Sequence, residues 1–255
     1  MPFERMTIEE LAEYLELKEK LSPEEEAALR ADKRRGTAVL LERFYRRRDR
    51  YLKEVSRLQK MLVEENILWE NGFTAVAGVD EAGRGPLAGP VVAAAVIFSP
   101  GTAIPGLNDS KQLSSMERAR IFDQIVYNAH CYAIASASRE EIDRFNIHTA
   151  SILAMRRALQ RLTSPPDYVL VDGFKIRDCV IRQKAIKGGD CLSLSIAAAS
   201  VLAKVARDGI MAELHRRHPR YGFDRNKGYG TAEHRQALAD HGPCSEHRRS
   251  FRLLY

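Results

Sequence analysis

Two adjacent carboxylates follow an apolar stretch of the chain and precede a glycine-rich segment. Asp80 and Glu81 come directly after the run from Thr74 to Val79 and are followed by Ala-Gly-Arg-Gly-Pro. Burying two acids at the end of a strand is costly without a counter-charge, and a cation shared between them would supply one. Successive strand side chains point to opposite faces, so both acids reach one site only if the backbone turns directly after Asp80. An acidic turn exposed to water is the alternative if this pair stands alone.

Two further acids occur in related contexts. Asp172 ends a second aliphatic run, Tyr168 to Val171, at the kind of strand end where sites collect in open α/β sheets. Asp190 lies in Lys-Gly-Gly-Asp, before a helix-forming segment that starts at Ser195, and alone it would equally suit a helix start. Four carboxylates without Cys or His in their motifs favour magnesium or manganese over zinc. Two such ions suit phosphoryl chemistry, since they can activate water and stabilise a leaving oxygen.

The glycine-rich segment from Gly83 to Gly89 does not match a nucleotide-binding loop. Its glycine spacing differs by one from the dinucleotide pattern, and Pro86 and Pro90 lead into a strand instead of a helix. Its glycines do expose backbone amides and carbonyls that can approach a sugar closely. Arg84, within the segment, is available for a phosphate.

Composition bounds the class of protein. The chain has 255 residues, 45% apolar and 29% charged, enough for a core in one or two domains. Its longest aliphatic run, Val91 to Phe98, is far shorter than the roughly 20 residues of a membrane helix. The start MPFERMTIEE lacks the basic and then apolar pattern of a secretory signal, so we expect a soluble, cytoplasmic protein with no membrane partner. Four widely spaced cysteines favour isolated buried thiols over disulfides or zinc.

Charge is distributed unevenly along the chain. The formal net charge is +6, which suits either a polyanionic partner or solubility alone. Residues 1–70 contain 15 basic and 16 acidic residues, so the remainder, with 25 basic and 18 acidic, carries a net +7. The positive excess therefore belongs to the later part of the chain.

The first 70 residues are predicted to form an all-helical extension. They contain one glycine, Gly36, and are otherwise rich in Glu, Leu, Arg, Lys and Ala. Thr7 and Ser22 have the sequence context of helix caps, and Gly36 indicates a break before a third, amphipathic helix. The basic stretch from Arg43 to Arg50 in that helix is typical of a solvated face.

The composition changes at Asn71, which we take as the boundary of a second domain, residues 71–255. Short β-branched and alanine-rich runs predict strands at residues 74–79, 91–98, 132–137, 168–171 and 180–186, the first two forming a hairpin. Helical periodicity predicts helices at residues 147–162 and 195–205. This order predicts an α/β class with a mixed sheet flanked by helices.

Five motifs in chain order resemble bacterial ribonuclease HII, the type 2 ribonuclease H. They are DEAGRGPLAGPV from Asp80, NDSKQLS from Asn108, LVDG around Asp172, SIAAASVLAKVARD from Ser195 and NKGYGTAEH from Asn226. The first 70 residues lie outside this pattern and resemble the extra helical segment of some family members. The resemblance implies a ribonuclease H-like fold whose C-terminal helical part binds substrate. It also implies metal-dependent endonucleolytic cleavage of RNA joined to or paired with DNA.

The resemblance also implies roles for individual residues. It assigns the catalytic, metal-binding carboxylates to Asp80, Glu81 and Asp172, and the fourth to Asp190, with Asp208 as a rival that better suits a structural ion pair. The implied cofactors are two divalent cations, Mn²⁺ or Mg²⁺.

Substrate recognition is implied for a second set of residues. The ribose 2′-hydroxyl, which distinguishes RNA from DNA, would be recognised by Gly83, Arg84 and Gly85. Tyr229 would stack on the sugar of the following deoxynucleotide. Candidate phosphate contacts, any of which could instead be a surface lysine, are Lys111, Lys204 and Lys227.

The expected activity is hydrolysis of the RNA strand of RNA/DNA hybrids and cutting 5′ of single ribonucleotides embedded in duplex DNA. The products would carry 3′-hydroxyl and 5′-phosphate ends, and the enzyme is expected to be a monomer. A replication or repair partner could bind through the N-terminal helices or the C-terminus. Type 3 ribonuclease H is an alternative, disfavoured by the Gly-Arg-Gly loop and Tyr229. A nucleic-acid-binding protein without catalytic activity is another alternative, disfavoured because all four candidate carboxylates are present.

Other polar residues near the motifs receive structural interpretations. For His148, Ser151 and His234 we expect core hydrogen bonding ahead of catalysis. The C-terminal stretch from His247 to Arg252 mixes basic and aromatic residues, and either duplex binding or packing would explain it.

Overall fold

The computed structural model describes residues 3–253, which divide into two compact units at residues 59 and 60. The first unit is helical. Its elements are the 3₁₀ turn η1 (Phe3–Arg5), α1 (Ile8–Leu17), α2 (Pro23–Ala31) and most of α3 (Arg35–Met61). Leucine and phenylalanine side chains from these elements form its core, including Leu11, Leu29 and Phe44.

The helix starts of the first unit confirm the capping prediction. Thr7 and Ser22 each form a capping box, in which the hydroxyl accepts the backbone N–H three residues on and a glutamate returns the bond. Gly36 is not the predicted break, because it lies inside the first turn of α3. Nor is the basic stretch wholly solvated, since Arg47 donates hydrogen bonds to carbonyl oxygens at the end of α1, including Leu15 at 2.6 Å.

The second unit is built on one five-stranded sheet. Its strands are β1 (Val76–Ala82), β2 (Val91–Ile97), β3 (Cys131–Ala137), β4 (Tyr168–Asp172) and β5 (Arg182–Ile186). Their order is β3-β2-β1-β4-β5, with β1, β2 and β3 antiparallel and β1, β4 and β5 parallel. The predicted hairpin and mixed sheet are therefore confirmed.

Helices surround this sheet. They are α4 (Val63–Glu70), α5 (Ser115–Asn128), α6 (Arg139–Gln160), α7 (Gly189–Leu192), α8 (Leu194–Arg217), α9 (Phe223–Asn226) and α10 (Ala232–His241), with the 3₁₀ turn η2 (Pro219–Tyr221). Ala77 and Val79 of β1 share a core with α6, whereas Val76 packs with Ile196 of α8 on the opposite face. No helix in residues 3–253 is both long and apolar enough to span a membrane.

Several elements differ from the sequence prediction. α8 continues to Arg217 instead of ending at residue 205, and α7, α9 and α10 were not predicted individually. α5 was not predicted, although Ser114 and Glu117 form a capping box at its start. α6 begins eight residues before the predicted helix at residue 147, and positive φ at Asn146 marks a kink next to that predicted start. α4 belongs to the second compact unit, whereas the sequence placed its residues in the N-terminal extension.

Candidate active site

Most of the residues predicted to bind metal or substrate line one cleft of about 480 Å³ at the ends of β1 and β4. Its lining comprises Asp80, Glu81, Ala82, Gly83, Arg84, Gly85, Ser110, Lys111, Arg118, Asp172, Ser200, Lys204, Arg207 and Tyr229. Three of the four predicted acids, the Gly-Arg-Gly loop, two of the three predicted lysines and the predicted tyrosine are among them. The fourth acid, Asp190, reaches this group through Lys111, whose Nζ lies 3.2 Å from Asp190 Oδ2.

Asp80 is the most deeply placed acid of the cleft. Its side chain extends towards α8, and the residue is 5% exposed. One carboxylate oxygen accepts the backbone N–H of Glu81 at 2.7 Å, and the Ser200 hydroxyl donates a second hydrogen bond. Burial raises the pKa of Asp80 well above its usual value, and the nearby charges of Glu81 and Asp172 raise it further.

Glu81 reaches the same cleft without the predicted turn. The backbone does not turn after Asp80, because β1 stays paired with β2 as far as Ala82. On its other side, β1 pairs with β4 only as far as Val79, which leaves the end of β1 open to the cleft. Both carboxylates therefore line one cavity beyond the last β4 pair.

Only one of the two Glu81 carboxylate oxygens has a hydrogen-bond partner among the described residues. Arg84 Nη1 lies 3.1 Å from Oε1, whereas Oε2 is buried and lacks a hydrogen-bond partner. Burial raises the pKa of Glu81, and the positive charge of Arg84 opposes that rise. A buried carboxylate oxygen without a donor is costly, so it suits a cation or a donor supplied from the cleft.

Asp172 and Asp190 meet at the first turn of α7, which begins at Gly189. The Gly189 N–H donates to Asp172 Oδ1 at 2.7 Å, which fixes that carboxylate at the end of β4. Burial raises the pKa of Asp172, and the negative charge of Asp190 adds to the rise. Asp190 itself is 6% exposed and ion-paired with Lys111. The doubled glycine before Asp190 thus places the fourth acid beside the third.

The donor set fits hard divalent cations in its chemistry. All four groups are oxygen ligands, three have raised pKa values from mutual repulsion and burial, and one oxygen lacks a donor. In residues 3–253 no three His, Cys, Asp or Glu side chains already converge on one point as ready-made ligands. The carboxylates therefore lie near one cleft without already forming a compact set of ligands around one point.

Two buried arginines that sequence reasoning missed hold the Gly-Arg-Gly loop. Arg207 is 1% exposed and Arg248 is 0% exposed. Arg248 donates to the carbonyl oxygens of Gly83 at 2.6 Å and Arg84 at 3.0 Å, while Arg207 donates to Pro90 at 3.0 Å. Burial lowers the pKa of Arg248 to about 9 and of Arg207 to about 10.

Gly83 has a specific reason to be glycine. Its φ is +96°, and a Cβ there would lie 2.0 Å from Arg207 Nε. Any side chain would therefore clash with the arginine that supports the loop. In the sequence, Arg207 is one arginine of a helical segment and Arg248 is one of several near the C-terminus, so no local pattern indicates that both lie beside residues 83–85.

The predicted substrate-contacting residues have mixed placements. The Tyr229 ring faces the loop, since a Cβ on Gly85 would lie 3.6 Å from Tyr229 Cε1, and the tyrosine is 46% exposed. Lys204 lines the cleft and pairs with Asp208 at 2.7 Å, which matches the structural ion pair expected for Asp208. Lys227 is not among the lining residues, and its carbonyl oxygen accepts a hydrogen bond from Arg207 at 3.0 Å.

The remaining polar residues follow their structural interpretations in part. His234 is buried and hydrogen-bonded as expected, whereas the buried Ser151 hydroxyl has no partner, so that expectation was wrong. In the C-terminal stretch, His247 and Arg248 are buried and pack inside the unit. All four cysteines are free thiols, but Cys191 is exposed, contrary to the prediction of buried thiols.

A mixed sheet in this order, with acids at the adjoining ends of β1 and β4, defines the class of ribonuclease H-like nucleases. The family model "Ribonuclease HII" matches residues 77–255, and "Ribonuclease HII N-terminal domain" matches residues 7–69. The chain belongs to the Ribonuclease HII family. It is accordingly an enzyme, a ribonuclease H endonuclease that acts on an RNA strand.

Individual relatives agree with this assignment. A Ribonuclease HII of Desulfitobacterium hafniense is 48% identical over 249 residues, which cover 97% of this chain and 94% of the relative. The structure of a PCNA:RNase HII complex from Archaeoglobus fulgidus is similar with a TM-score of 0.61 at 25% identity, covering 71% of this chain and 96% of that one. A structure of Bst-RNase HIII in complex with Mn²⁺ shares the fold, with a TM-score of 0.54 at 22% identity over 67% of this chain and 64% of that one.

Proposed function

We propose that the enzyme cuts the phosphodiester on the 5′ side of a single ribonucleotide embedded in duplex DNA, as well as the RNA strand of hybrids. The products would carry 3′-hydroxyl and 5′-phosphate ends. One observation carries this proposal. The acids of β1 and β4, the Gly83–Gly85 loop and Tyr229 line a single cleft, so the acidic residues proposed for catalysis and the residues proposed for ribose recognition lie side by side.

Two divalent cations, Mg²⁺ or Mn²⁺, complete the proposed site. Asp80, Glu81 and Asp172 would hold one, as their oxygen donors and raised pKa values support, and Asp190 would share the second through its carboxylate oxygens. When bound, such ions supply water activation and stabilisation of the leaving 3′-oxygen. The Mn²⁺ reported for the structurally similar Bst-RNase HIII is consistent with this assignment.

The chain's own residues would orient the substrate around these acids. The Gly83–Gly85 loop offers bare backbone to the ribose, and its carbonyl oxygens at Gly83 and Arg84 are fixed from behind by Arg248. Tyr229, half exposed opposite Gly85, would stack on the sugar of the next nucleotide. A 2′-hydroxyl between them would be recognised by hydrogen bonds that a deoxyribose cannot make.

The basic side chains of the cleft would bind the phosphates. Arg84, Lys111 and Lys204 pair with Glu81, Asp190 and Asp208 respectively. Cations bound by the first two acids would replace Arg84 and Lys111 as counter-charges. The Arg84 and Lys111 side chains would then be free to contact the substrate backbone, where neutralisation of phosphates supplies much of the affinity.

A replication or repair partner also belongs to the proposal. The structurally similar RNase HII from Archaeoglobus fulgidus was solved in complex with PCNA, so PCNA or its counterpart is the proposed partner class. The N-terminal helices, residues 1–70 as a domain, and the C-terminus remain the proposed contact regions. A pull-down with PCNA or its counterpart would compare the full chain with chains that lack either region. Binding by both truncated chains that equals binding by the full chain would contradict the proposal.

The experiment that tests the substrate class compares two duplexes of equal length. One contains a single ribonucleotide in DNA, and the other is a continuous RNA/DNA hybrid. We expect cleavage of both, with the lone ribonucleotide cut at its 5′ side, and no cleavage of an all-DNA duplex. Cleavage of the hybrid alone would favour the type 3 ribonuclease H alternative.

A further inference from the structure

Two histidines outside the acidic cleft lie in direct contact in the C-terminal part of the second unit. His234 in α10 is 0% exposed and His247 is 1% exposed, and their Nε2 atoms lie 3.0 Å apart. The rings of Tyr221 and Phe223 pack around them, with centroids 4.8 Å from His247 and 5.4 Å from His234 respectively. The proposed chemistry uses neither histidine.

The partners of the outer ring nitrogens determine both tautomers. His247 Nδ1 lies 3.0 Å from the backbone N–H of Cys244, which can only donate, so this nitrogen carries no proton. His234 Nδ1 lies 2.9 Å from the carbonyl oxygen of Tyr229, which can only accept, so this nitrogen carries the proton. A neutral His247 then has its proton on Nε2 and donates it to the bare Nε2 of His234.

The hydrogen bonds therefore run in one direction through four groups. The backbone of Cys244 donates to His247, His247 donates to His234, and His234 donates to the carbonyl of Tyr229. We call this chain the histidine relay. Each ring nitrogen has a partner of the correct kind, and His247 Nδ1 also lies 3.2 Å from Cys244 Sγ, so the buried pair is satisfied while both rings are uncharged.

The relay connects the two elements proposed to recognise the substrate, Tyr229 and the Gly-Arg-Gly loop. At one end is Tyr229. At the other end, the segment around His247 pairs with the backbone that follows the Gly-Arg-Gly loop. Gly89 donates to Glu246 at 2.9 Å, and Arg248 donates to Leu87 at 2.9 Å. The relay thus spans from the loop's support to the tyrosine that faces Gly85.

We propose that His234 and His247 are positioning residues that hold Tyr229 at a fixed distance from the Gly-Arg-Gly loop and so set the selectivity for a single ribonucleotide. This inference rests on the proposed function, because Tyr229 must contact the substrate. Without the relay, the Tyr229 carbonyl keeps only the Thr231 N–H, at 2.8 Å, as a hydrogen-bond donor. The ring would then face Gly85 in a broader range of positions.

The surroundings favour the neutral state at ordinary pH. Burial lowers the pKa of His247 to about 4, and the neighbouring rings of His234 and His218 act in the same direction. Burial also lowers the pKa of His234, with a further lowering from Arg235. Cys244 and Tyr221, the other titratable groups in contact, stay uncharged because burial raises the pKa of each. A proton added to Nε2 of His234 would place its N–H directly opposite the N–H of His247 Nε2, and the two donors would repel each other.

Nitrogen NMR of ring-labelled protein tests the relay without any activity measurement. At neutral pH we expect opposite tautomers, with a protonated Nδ1 in His234 and a protonated Nε2 in His247. His234→Asn and His247→Gln assign the two sets of signals among the seven histidines. The same tautomer in both rings, or a charged ring, would overturn the proposal.

Kinetics then test whether the relay acts through Tyr229. The measured quantity is the ratio of kcat/KM for a one-ribonucleotide duplex to that for a long hybrid. His234→Ala should lower this ratio about tenfold, near the lower end of what one stacking contact contributes. His234→Asn, whose amide can still donate towards Tyr229, should recover most of it. His241→Ala, an exposed position at the end of α10, should leave the ratio unchanged.

A double-mutant cycle gives the decisive comparison. In a Tyr229→Ala background, His234→Ala should lower the ratio no further, because the ring that it positions is gone. Additive losses, or a ratio unchanged by His234→Ala, would overturn the relay's role. If His234→Ala does not fold, His247→Gln carries the same cycle. A wild-type enzyme with no ribonucleotide preference would instead refute the proposed function, while the NMR result still decides the relay.

Discussion

At the scale of single residues, the site consists of acids that the fold holds at a cost. Asp80 is buried beside two further carboxylates, and Glu81 keeps one buried oxygen without a donor. The meeting of Asp80, Glu81 and Asp172 could be predicted because these acids lie at strand ends, whereas Asp190 was placed only through the family resemblance. The buried Arg207 and Arg248 were not, because their partners are carbonyl oxygens more than a hundred residues away, such as Pro90.

The choice of the fourth acid leads to a prediction. Asp190→Asn should lower kcat on the order of a hundredfold, because the group lies beside Asp172 and would share a cation. Asp208→Asn should change kcat by less than about threefold, since Asp208 serves an ion pair with Lys204 on α8. Steady-state kinetics at saturating Mg²⁺ measures both. A large loss of kcat in Asp208→Asn and a small one in Asp190→Asn would instead assign the fourth acid to Asp208.

The loop glycine leads to a second prediction. Gly83→Ala should cost about 1 kcal/mol for its positive φ and about 2 kcal/mol more for displacing Arg207, and it should abolish most activity. Gly72→Ala is the matched control, because Gly72 has φ +85° with nothing within 4 Å of a Cβ. Urea denaturation and kcat/KM measure the two effects. Equal losses in both variants would show that Arg207 does not restrict the loop.

At the scale of elements, the connection of α4 to the catalytic sheet is the main feature that the sequence did not reveal. Glu65 of α4 is 1% exposed, and its carboxylate accepts hydrogen bonds from the hydroxyls of Ser193 and Ser195, at 2.6 and 2.7 Å. In the sequence it reads as one of many glutamates in a helical extension. Its partners lie about 130 residues away, so only the folded chain reveals them.

Glu65 provides a prediction about this element. Glu65→Ala should lower the free energy of unfolding by about 3 kcal/mol, because it leaves the buried Ser193 and Ser195 groups without their acceptor. Glu64→Ala, one residue earlier, should cost only about 0.5 kcal/mol, since its ion pair with Lys184 is partly exposed. Urea denaturation measures both variants. Similar small losses would place α4 outside the structural support of the catalytic unit.

At the scale of the whole molecule, the class of the sheet was easier to predict than the geometry of the sheet end where the acids meet. The mixed α/β class and the β1–β2 hairpin could be predicted because the apolar runs are short, regular and separated by clear turns, whereas the strand order was not predicted. The end of the sheet where the acids meet could be predicted only in outline. The expected turn after Asp80 was wrong, because the open end of β1 arises from the short β4, a property of the pairing and not of the local sequence.

The raised pKa of Asp80 predicts how metal removal affects stability. A carboxyl group whose folded pKa is raised contributes stability that is fully present below its unfolded value of about 4 and is lost as pH rises through the folded value. In EDTA, wild type should therefore lose stability with rising pH relative to Asp80→Asn. Added Mg²⁺ at pH 7.5 should raise Tm more in wild type than in that variant.

Asp123→Asn, an exposed acid on α5, is the control and should respond to Mg²⁺ as wild type does. Thermal unfolding by circular dichroism measures the shifts. An equal rise in Tm for all three proteins would show that the ion binds elsewhere.

The position of the cut tests the central claim most directly. A duplex with one ribonucleotide, labelled at the 5′ end of that strand, is incubated with enzyme and Mn²⁺ or Mg²⁺, and the product is sized and tested for extension by a polymerase. We predict one nick, on the 5′ side of the ribonucleotide, with an extendable 3′-hydroxyl and no product from Asp80→Asn. A nick on the 3′ side, or an undiminished product from Asp80→Asn, would contradict the account.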